Sequence, residues 1–315
     1  MTAPRILVYY PDARTARAYA EAIESPRRSL DLRVASTPAQ AMRLVGDTEV
    51  LFAWGFPAPL LARAERLRWV QAMGAGVERF LVPALGSRVI LTRAAGIFGP
   101  WMAEYTLGWC LWVTQRVALF RRHQQARRWA PIDTLKLRGT TLCIVGLGDI
   151  GRHIAQAAHA LGMRVIGVTR TGRPVSGTER IYRPRAMREA LAHADFAVLT
   201  VPLSAETRGM IGARELAAMK ASAWLINIAR GPIVDEAALL SSLRARRIAG
   251  AVLDVFDTEP LPPRHPFWRF DNVVVTPHIS GPSTPDEIVP IFNDNLRRYF
   301  AGRPLRYVVD RARGY

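Results

Sequence analysis

Short apolar runs alternate with polar or alanine-rich stretches through the first part of the chain. The first runs are Ile6 to Tyr10, Leu32 to Ala35 and Val50 to Trp54. Runs of this length, separated by helix-length segments, are typical of β-α-β units in which a helix connects two parallel strands. The pattern therefore predicts a parallel sheet with helices in the N-terminal part of the chain.

The pattern changes near Pro100, where a long helix is predicted to continue through Ala118. Pro100 suits the first turn of a helix, and Glu104 follows closely enough to favour the positive end of the helix dipole. Glu104 also interrupts the most apolar window, Trp101 to Val113, so no run approaches the roughly 18 apolar residues that a membrane span needs. We interpret this stretch as the helix that links two domains.

A second and more regular series of apolar runs follows. Its members are Leu142 to Val145, Val165 to Val168, Phe196 to Val201, Trp224 to Ile228, Ala251 to Leu253 and Val273 to Val275. Strands that alternate with helical segments in this way predict a doubly wound parallel sheet. The last segment, from Pro285 to Phe300, has apolar residues at helical spacing and predicts an amphipathic helix. We expect that helix to cover the first domain, so residues 1–99 and 282–315 form one domain and residues 100–281 the other.

Length and composition fit two soluble domains. A chain of 315 residues with 50% hydrophobic content can form two cores. The segment from Arg5 to Asp12 lacks the apolar core and small-residue cleavage site of a signal peptide, so we expect a cytoplasmic location. Cys110 and Cys143 are far apart in the chain and fit neither a disulfide framework nor a metal site.

The charge raises the question of nucleic-acid binding. The formal net charge is +17, and surfaces rich in Lys and Arg attract phosphate regardless of sequence. The arginines are scattered in pairs, which is more typical of solvated helix faces than of one docking stripe. The pairs are Arg27 and Arg28, Arg121 and Arg122, Arg127 and Arg128, and Arg246 and Arg247. We therefore expect no nucleic-acid partner, and filter binding across a salt series checks this.

A glycine-rich turn follows the strand that ends at Val145. The turn consists of Gly146, Leu147, Gly148, Asp149, Ile150 and Gly151, and a helical segment follows from Ile154. Its G-x-G-x-x-G spacing, between a strand and a helix, is typical of dinucleotide binding. Gly146 allows the tight turn, Gly148 lets the backbone approach a pyrophosphate, and Gly151 allows helix and strand to pack closely. N–H groups at the helix start bind the anion. The alternative is a turn without a ligand.

The residues after the next strand bear on the choice between NAD and NADP. An NAD site usually has Asp or Glu there, which hydrogen-bonds the ribose 2′-OH and repels a 2′-phosphate. After Val168 this chain instead has Thr169, Arg170, Thr171 and Arg173. Hydroxyl and guanidinium groups suit a phosphate. We predict NADP(H) as the preferred cofactor and NAD(H) as the alternative, unless both arginines are ordinary surface residues.

Three candidate reacting groups follow strands of the second series. Arg230 lies at the carboxyl end of a strand, where open α/β sheets bind ligands, and its planar fork can hold a carboxylate and a neighbouring carbonyl oxygen. Glu259 and His278 follow later strands. Reduction of a carbonyl by hydride needs a proton for the developing alkoxide, and an imidazolium oriented by a carboxylate can deliver it near neutral pH. Taken singly, each has an ordinary explanation as a cap, a loop acid or a strand-end histidine.

The motifs VGLGDIG, NIARG, AVLDVFDTEP and VVVTPHIS, in that order, resemble the D-isomer-specific 2-hydroxyacid dehydrogenases over most of the chain. QAMGAGVE, the PFW near Trp268 and the basic residues after Val168 are most similar to the glyoxylate/hydroxypyruvate reductases of that family. The resemblance implies two α/β lobes, a doubly wound Rossmann domain and a smaller flavodoxin-like substrate domain. It also implies a homodimer with the helix near Trp101 to Val113 in the interface.

The resemblance assigns the chemistry to residues. It implies that Arg230 binds and polarises a small 2-keto acid, that His278 is the general acid and that Glu259 is its partner. It also implies substrate contacts from the first lobe, by the ring of Trp54 and by the backbone N–H groups of Gly74, Ala75 and Gly76. Further cofactor contacts are expected from Val201 and Pro202 on the adenosine side and from Asp254 near the nicotinamide.

Two questions stay open at this point. Transcriptional corepressors that sense nucleotides also resemble this family, and steady oxidation of NADPH by a 2-keto acid separates such a protein from an enzyme. The second question is which 2-keto acid is preferred: glyoxylate, hydroxypyruvate or a bulkier arylpyruvate. The sequence does not choose among them, because Trp54 and Trp268 could either close the pocket or stack on an aromatic ring of the substrate.

Overall fold

The computed structural model describes residues 4–24 and 30–314 and divides the chain into two compact units. One unit is Met1–Ile97 together with Ser283–Tyr315, and the other is Phe98–Pro282. The chain thus leaves the first unit once and returns to it near its end. The arginine pair Arg27 and Arg28 lies outside the described residues.

The first unit contains a parallel sheet with the strand order 2-1-3-4-5. Its strands are β1 (Arg5–Tyr9), β2 (Asp31–Ala35), β3 (Val50–Ala53), β4 (Trp69–Ala72) and β5 (Ile90–Arg93), and its connecting helices are α1 (Ala13–Glu21), α2 (Pro38–Leu44) and α3 (Ala58–Leu61). This strand order is the flavodoxin-like one. The apolar pattern did not predict β4 and β5, because each is short and carries a polar residue. Those residues, Gln71 and Thr92, are fully buried, and the Thr92 hydroxyl donates to Gln71 Oε1 at 2.8 Å.

The helix predicted from Pro100 to Ala118 is in fact two helices, α4 (Phe98–Thr114) and α5 (Val117–Gln125). Arg116 lies between them with φ of 52°, in the left-handed region that does not continue a helix. The Thr114 carbonyl accepts a hydrogen bond from Leu135 N–H at 2.8 Å instead of one from the next helical turn. The prediction was wrong because apolar periodicity does not reveal one left-handed residue. Among the helices of residues 4–24 and 30–314, none combines the length and apolarity that a membrane span requires.

The second unit contains a parallel sheet of seven strands. Its strands are β6 (Thr141–Val145), β7 (Arg164–Val168), β8 (Arg180–Tyr182), β9 (Phe196–Leu199), β10 (Trp224–Asn227), β11 (Gly250–Leu253) and β12 (Val273–Val275), and its other helices are α6 (Asp149–Ala160), α7 (Met187–His193), α8 (Ala213–Ala218) and α9 (Glu236–Arg244). The order is β12-β11-β10-β9-β6-β7-β8, so the direction of winding reverses between β6 and β9. Such a reversal opens a crevice at the carboxyl ends of the strands. The predicted α/β fold class is confirmed, with β8 as an additional edge strand.

The last helix, α10 (Pro285–Phe300), has the bounds that the sequence predicts. It covers the sheet of the first unit, where the Phe292 ring stacks on Phe52 at 4.3 Å and on Trp69 at 5.2 Å between ring centroids. Burial of one such aromatic side chain stabilises a protein by about 1.5–3 kcal/mol. Asn295 Nδ2 also donates to Gln71 Oε1 at 3.1 Å, which satisfies the polar group buried under the helix.

Candidate active site

The glycine turn between β6 and α6 depends on close backbone contacts. Gly146 has φ of 104°, which side-chain-bearing residues rarely adopt, and its N–H donates to the Val168 carbonyl at 3.0 Å. A Cβ at Gly151 would overlap the carbonyl oxygen of Gly146. The turn and the first turn of α6 can therefore pack this closely only with glycine at both positions.

Gly148 is the N-cap of α6, and it differs from the other two glycines. Nothing lies within 4 Å of the position that a Cβ would occupy there. The first helical turn, which begins at Asp149 and Ile150, presents N–H groups that have no partner within the helix. Open space beside these donors fits the phosphates of a dinucleotide.

Alanine at Gly148 is expected to weaken NADPH binding without unfolding the protein. The added methyl meets no protein atom but occupies the space beside the helix start, and such crowding costs about 1–3 kcal/mol, which is roughly tenfold to hundredfold in Kd. The measurement is a fluorescence titration with NADPH, together with Tm. Gly212→Ala is the matched control, because Gly212 is an extended N-cap of α8 with φ of −105°. Equal Kd values for the two variants would contradict the phosphate-binding role of the turn.

The loop after β7 is shaped by its own threonines. The Thr169 hydroxyl accepts a hydrogen bond from Gly172 N–H at 3.0 Å, and the Thr171 hydroxyl accepts one from Arg173 N–H at 3.3 Å. These bonds fold the loop into a compact turn. The two hydroxyls predicted as cofactor contacts therefore also define the loop conformation.

Three guanidinium groups lie in or next to this loop. Arg170 and Arg173 are exposed, and Arg170 Nη1 lies 3.8 Å from the Glu206 carboxylate. A Cβ at Gly172 would lie 3.2 Å from Nε of Arg183, so Arg183 flanks the loop as well. Sequence reasoning missed Arg183 because β8, which it follows, was not predicted.

The residues after β9 pack against the glycine turn. Val201 Cγ1 lies 2.8 Å from the position of a Cβ on Gly146, and the Thr200 hydroxyl donates to the Gly146 carbonyl at 2.5 Å. Pro202 follows and is exposed, and its carbonyl accepts a hydrogen bond from the Thr207 hydroxyl at 2.6 Å. Val201 thus contacts the glycine turn, and its predicted place beside the cofactor stays a prediction.

Arg230 lies on a turn directly after β10. Asn227 clamps this turn, because its side chain accepts a hydrogen bond from Ala229 N–H at 3.1 Å and donates one to the Arg230 carbonyl at 3.0 Å. Arg230 Nη1 donates to the Ala229 carbonyl at 2.6 Å. A Cβ at Gly231 would overlap the peptide between Phe256 and Asp257, so the Arg230 turn touches the loop that leads to Glu259.

His278 and Glu259 form a direct pair. His278 Nδ1 lies 2.8 Å from Glu259 Oε2, and Glu259 Oε1 accepts a hydrogen bond from Phe256 N–H at 3.0 Å. The two side chains are 37% and 28% exposed, so solvent or a ligand can reach the pair. His278 has φ of 55°, an unusual conformation for a residue with a side chain.

Burial raises the pKa of Glu259, but several other effects outweigh it. The hydrogen bonds from the His278 ring and from Phe256 N–H lower this pKa, and so do the charges of His278 and Arg230. The net result is a pKa below the ordinary value of a glutamate. Glu259 is therefore a carboxylate at neutral pH, and Arg230 is close enough to influence it. His278 and Glu259 are thus in direct contact, and Arg230 contributes its positive charge to the surroundings of Glu259.

Asp254, at the end of β11, anchors the segment that carries His278. Its side chain is fully buried and accepts hydrogen bonds from the Thr276 hydroxyl at 2.6 Å, from Ile279 N–H at 2.9 Å and from Ser280 N–H at 2.9 Å. Sequence reasoning placed Asp254 beside the nicotinamide, and that contact stays a prediction. The role of Thr276 was missed, although the residue lies inside the VVVTPHIS motif.

The predicted substrate-binding residues of the first unit lie next to one another. A Cβ at Gly74 would lie 3.3 Å from Cζ3 of the Trp54 ring, so the loop packs against that ring. The Gly74 carbonyl accepts a hydrogen bond from Ala94 N–H at 3.2 Å. Within residues 4–24 and 30–314, the N–H groups of Gly74, Ala75 and Gly76 donate to no other group of the protein. Gly74 is buried, whereas Ala75 and Gly76 are partly exposed, so binding of an anion by these N–H groups stays a prediction.

Comparisons with known proteins identify the family of this chain. Residues 107–280 match the sequence model of the "D-isomer specific 2-hydroxyacid dehydrogenase, NAD binding domain". A glyoxylate/hydroxypyruvate reductase A from Serratia proteamaculans is 32% identical over 271 residues, which are 83% of this chain and 86% of that protein.

Two solved structures are similar along the whole chain. A D-isomer specific 2-hydroxyacid dehydrogenase family protein from Aeromonas salmonicida has a TM-score of 0.89 and 35% identity, with 99% of this chain and 100% of that chain covered. An NADPH-dependent glyoxylate/hydroxypyruvate reductase from Sinorhizobium meliloti, in complex with NADP and sulfate, has a TM-score of 0.91 and 28% identity, with 100% of both chains covered. The resemblance inferred from the motifs is confirmed: this chain belongs to the D-isomer specific 2-hydroxyacid dehydrogenase family, whose members are NAD(P)-dependent oxidoreductases.

Proposed function

We propose that this protein reduces a small 2-keto acid of the glyoxylate or hydroxypyruvate type to the 2-hydroxy acid, with NADPH preferred and His278 as the general acid. The observation that carries the proposal is the 2.8 Å contact of His278 Nδ1 with Glu259, beside Arg230. The reductases from Serratia and Sinorhizobium act on the same substrate type by their names, which supports the choice of substrate.

The cofactor would be held by the residues that border the crevice of the second sheet. The turn from Gly146 to Gly151, with Asp149 and Ile150 at the helix start, would bind the pyrophosphate. The loop from Thr169 to Arg173 would bind the 2′-phosphate. Val201, Pro202 and Asp254 would line the rest of the nucleotide. The reduced nicotinamide supplies a hydride for the carbonyl carbon of the substrate.

Arg230 orients the keto acid in this proposal. A guanidinium presents paired N–H donors in one plane, so it can bind a carboxylate oxygen and the adjacent carbonyl oxygen together. Its positive charge polarises the carbonyl and favours the alkoxide that develops on it. The free N–H groups of Gly74, Ala75 and Gly76 are proposed to bind the substrate carboxylate, and Trp54 to contact the substrate.

His278 delivers the proton from Nε2. Its Nδ1 is hydrogen-bonded to the Glu259 carboxylate, so the other ring nitrogen is the one that can reach a substrate. The carboxylate stabilises the imidazolium before transfer and fixes the tautomer with a proton on Nδ1 afterwards. The proton then lies on the product oxygen.

A panel of 2-keto acids tests the substrate assignment. Glyoxylate, hydroxypyruvate and phenylpyruvate are each added to the protein with NADPH, and the loss of reduced nicotinamide is followed. We expect the two small acids to give the higher kcat/KM. A clear preference for phenylpyruvate would contradict the small-substrate proposal, and no oxidation with any acid would contradict the enzymatic one.

The preference for NADPH is expected to depend on the arginines after β7. In the wild-type protein, kcat/KM should be at least about tenfold higher with NADPH than with NADH. Arg173→Ala or Arg170→Ala should lower kcat/KM with NADPH by roughly tenfold and change kcat/KM with NADH little. The reason is that each variant removes one positive charge from the proposed 2′-phosphate site. Arg164→Ala is the control, because Arg164 is exposed at the opposite end of the same strand and pairs with Glu179 at 3.2 Å. A wild-type preference for NADH would overturn the assignment.

We also propose that the protein is a homodimer, as the resemblance implies. Exposed apolar side chains on α4, α5 and the segment after them support this proposal. They are Trp101, Leu111, Phe120 and Trp129, of which Trp129 is 97% exposed. The cytoplasmic location stays a prediction from the sequence.

A further inference from the structure

One face of α4 packs against the segment that carries His278. Phe98, Met102 and Tyr105 are spaced four and three residues apart, so they share one helix face. A Cβ at Gly281 would lie 3.2 Å from Met102 Cγ and 3.4 Å from Phe98 Cδ1. This face of the helix therefore supports the end of the His278 segment.

Two hydroxyl groups continue this contact as a directed chain of hydrogen bonds. The Tyr105 hydroxyl lies 2.6 Å from Thr276 Oγ1, and Thr276 Oγ1 donates to Asp254 Oδ1 at 2.6 Å. A threonine hydroxyl has one proton, and the Asp254 carboxylate accepts it. Tyr105 must therefore donate to Thr276. Burial raises the pKa of Tyr105 above its ordinary value, so its proton is retained.

This series of hydrogen bonds ends at Asp254, which fixes the backbone around His278. The Asp254 carbonyl accepts from His278 N–H at 2.9 Å, and the Asp254 carboxylate accepts from the N–H groups of Ile279 and Ser280. His278 has a left-handed φ of 55°, which is unfavourable for a residue with a side chain and persists only where surrounding contacts impose it.

We propose that Tyr105 is a positioning residue for the general acid, acting through the Thr276 hydroxyl and the Asp254 carboxylate to hold His278 in its strained conformation. The inference rests on the proposed function, because it gives His278 the role of proton donor. Proton transfer depends steeply on geometry, and a displacement of about 1 Å can cost on the order of a hundredfold in rate. Loss of one hydroxyl group from this series of hydrogen bonds should displace His278 by less than about 1 Å, so the expected loss of rate is smaller than a hundredfold.

The test removes single hydroxyl groups and keeps the side-chain shapes. Tyr105→Phe and Thr276→Val are expected to lower kcat for glyoxylate reduction by about tenfold, with KM for glyoxylate and Kd for NADPH within about twofold of wild type. Thr276→Ser should restore most of the activity, because it keeps the hydroxyl. With NADPH deuterated at C4, the isotope effect on kcat should be larger in the impaired variants than in the wild type, because a slower chemical step limits the rate more fully.

Tyr299→Phe is the matched control. The Tyr299 hydroxyl donates to Glu49 Oε1 at 2.5 Å in the first unit, so this variant also loses a tyrosine hydrogen bond. It should lower Tm without changing kcat. If Tyr105→Phe is too unstable to purify, the Thr276→Val and Thr276→Ser pair decides the question.

A second readout needs neither cofactor nor turnover. In protein labelled with ¹⁵N-histidine, the ring signals of His278, assigned from their absence in His278→Asn, should shift in Tyr105→Phe and Thr276→Val but not in Tyr299→Phe. Unchanged ring signals and unchanged kcat in both variants would overturn the positioning role. If the signals shift while His278→Asn keeps normal kcat, the positioning chain stands and the proposed function of His278 fails.

Discussion

Replacement of His278 by asparagine is expected to reduce kcat by about 10²–10⁴-fold, the usual range for loss of a general acid. The developing alkoxide then has to take its proton from water, because an amide cannot supply one. KM for the keto acid and Kd for NADPH should change little, because His278 acts on the reacting oxygen of the substrate. Its partner Glu259 contacts Nδ1, the ring nitrogen that does not deliver the proton. Steady-state kinetics of NADPH oxidation measures kcat and KM, and a fluorescence titration measures Kd for NADPH.

His265→Asn is the control for this experiment. His265 also pairs with a carboxylate, with Nε2 3.0 Å from Glu236 Oε1, and its Nδ1 accepts a hydrogen bond from Phe267 N–H at 3.3 Å. Asparagine can keep the second bond. The variant should therefore lose a histidine–carboxylate pair and retain its kcat. Near-normal kcat in His278→Asn would refute the assignment of the acid.

Replacement of Arg230 by lysine is expected to lower kcat/KM for glyoxylate by roughly hundredfold. Lysine keeps the positive charge but loses the planar fork, and a charge-assisted hydrogen bond is worth about 1.5–3 kcal/mol. It would also lose the bond from Nη1 to the Ala229 carbonyl, which orients the side chain at 2.6 Å. Both kcat and KM should change, because the guanidinium contacts substrate and transition state.

Arg246→Lys provides the comparison, since Arg246 pairs with Asp271 at 2.8 Å on the surface of the same unit. It should behave like wild type. Added guanidinium ion should restore part of the activity of Arg230→Ala, because the lost group is then supplied from solution. Full activity of Arg230→Lys would show that charge alone is enough and that the fork does not bind the substrate.

Much of the second sheet and its strand-end residues could be predicted from the sequence, because both leave local signals. Buried parallel strands are continuous apolar runs, and the glycine turn has a fixed spacing imposed by contacts such as that between Gly151 and Gly146. Arg230 and His278 follow strands whose carboxyl ends meet at one edge of the sheet. Their placement at the same end of the sheet therefore follows from topology.

The features that the sequence did not reveal depend on contacts between distant segments. Gln71 and Thr92 make their strands look too polar to be buried, and their burial is explained by hydrogen bonds to each other and to distant residues such as Asn295. Tyr105 and Thr276 are 171 residues apart, so no local pattern connects them. The break at Arg116 depends on one backbone torsion, which composition does not encode.

Transfer of deuterium tests the central claim most directly. The protein is incubated with glyoxylate and NADPH that carries deuterium at both C4 positions, and the glycolate formed is analysed by mass spectrometry. Direct hydride transfer predicts glycolate with one deuterium on carbon, formed by the wild-type protein and at a much reduced rate by His278→Asn. Glycolate without deuterium, or oxidation of NADPH without glycolate, would contradict the account.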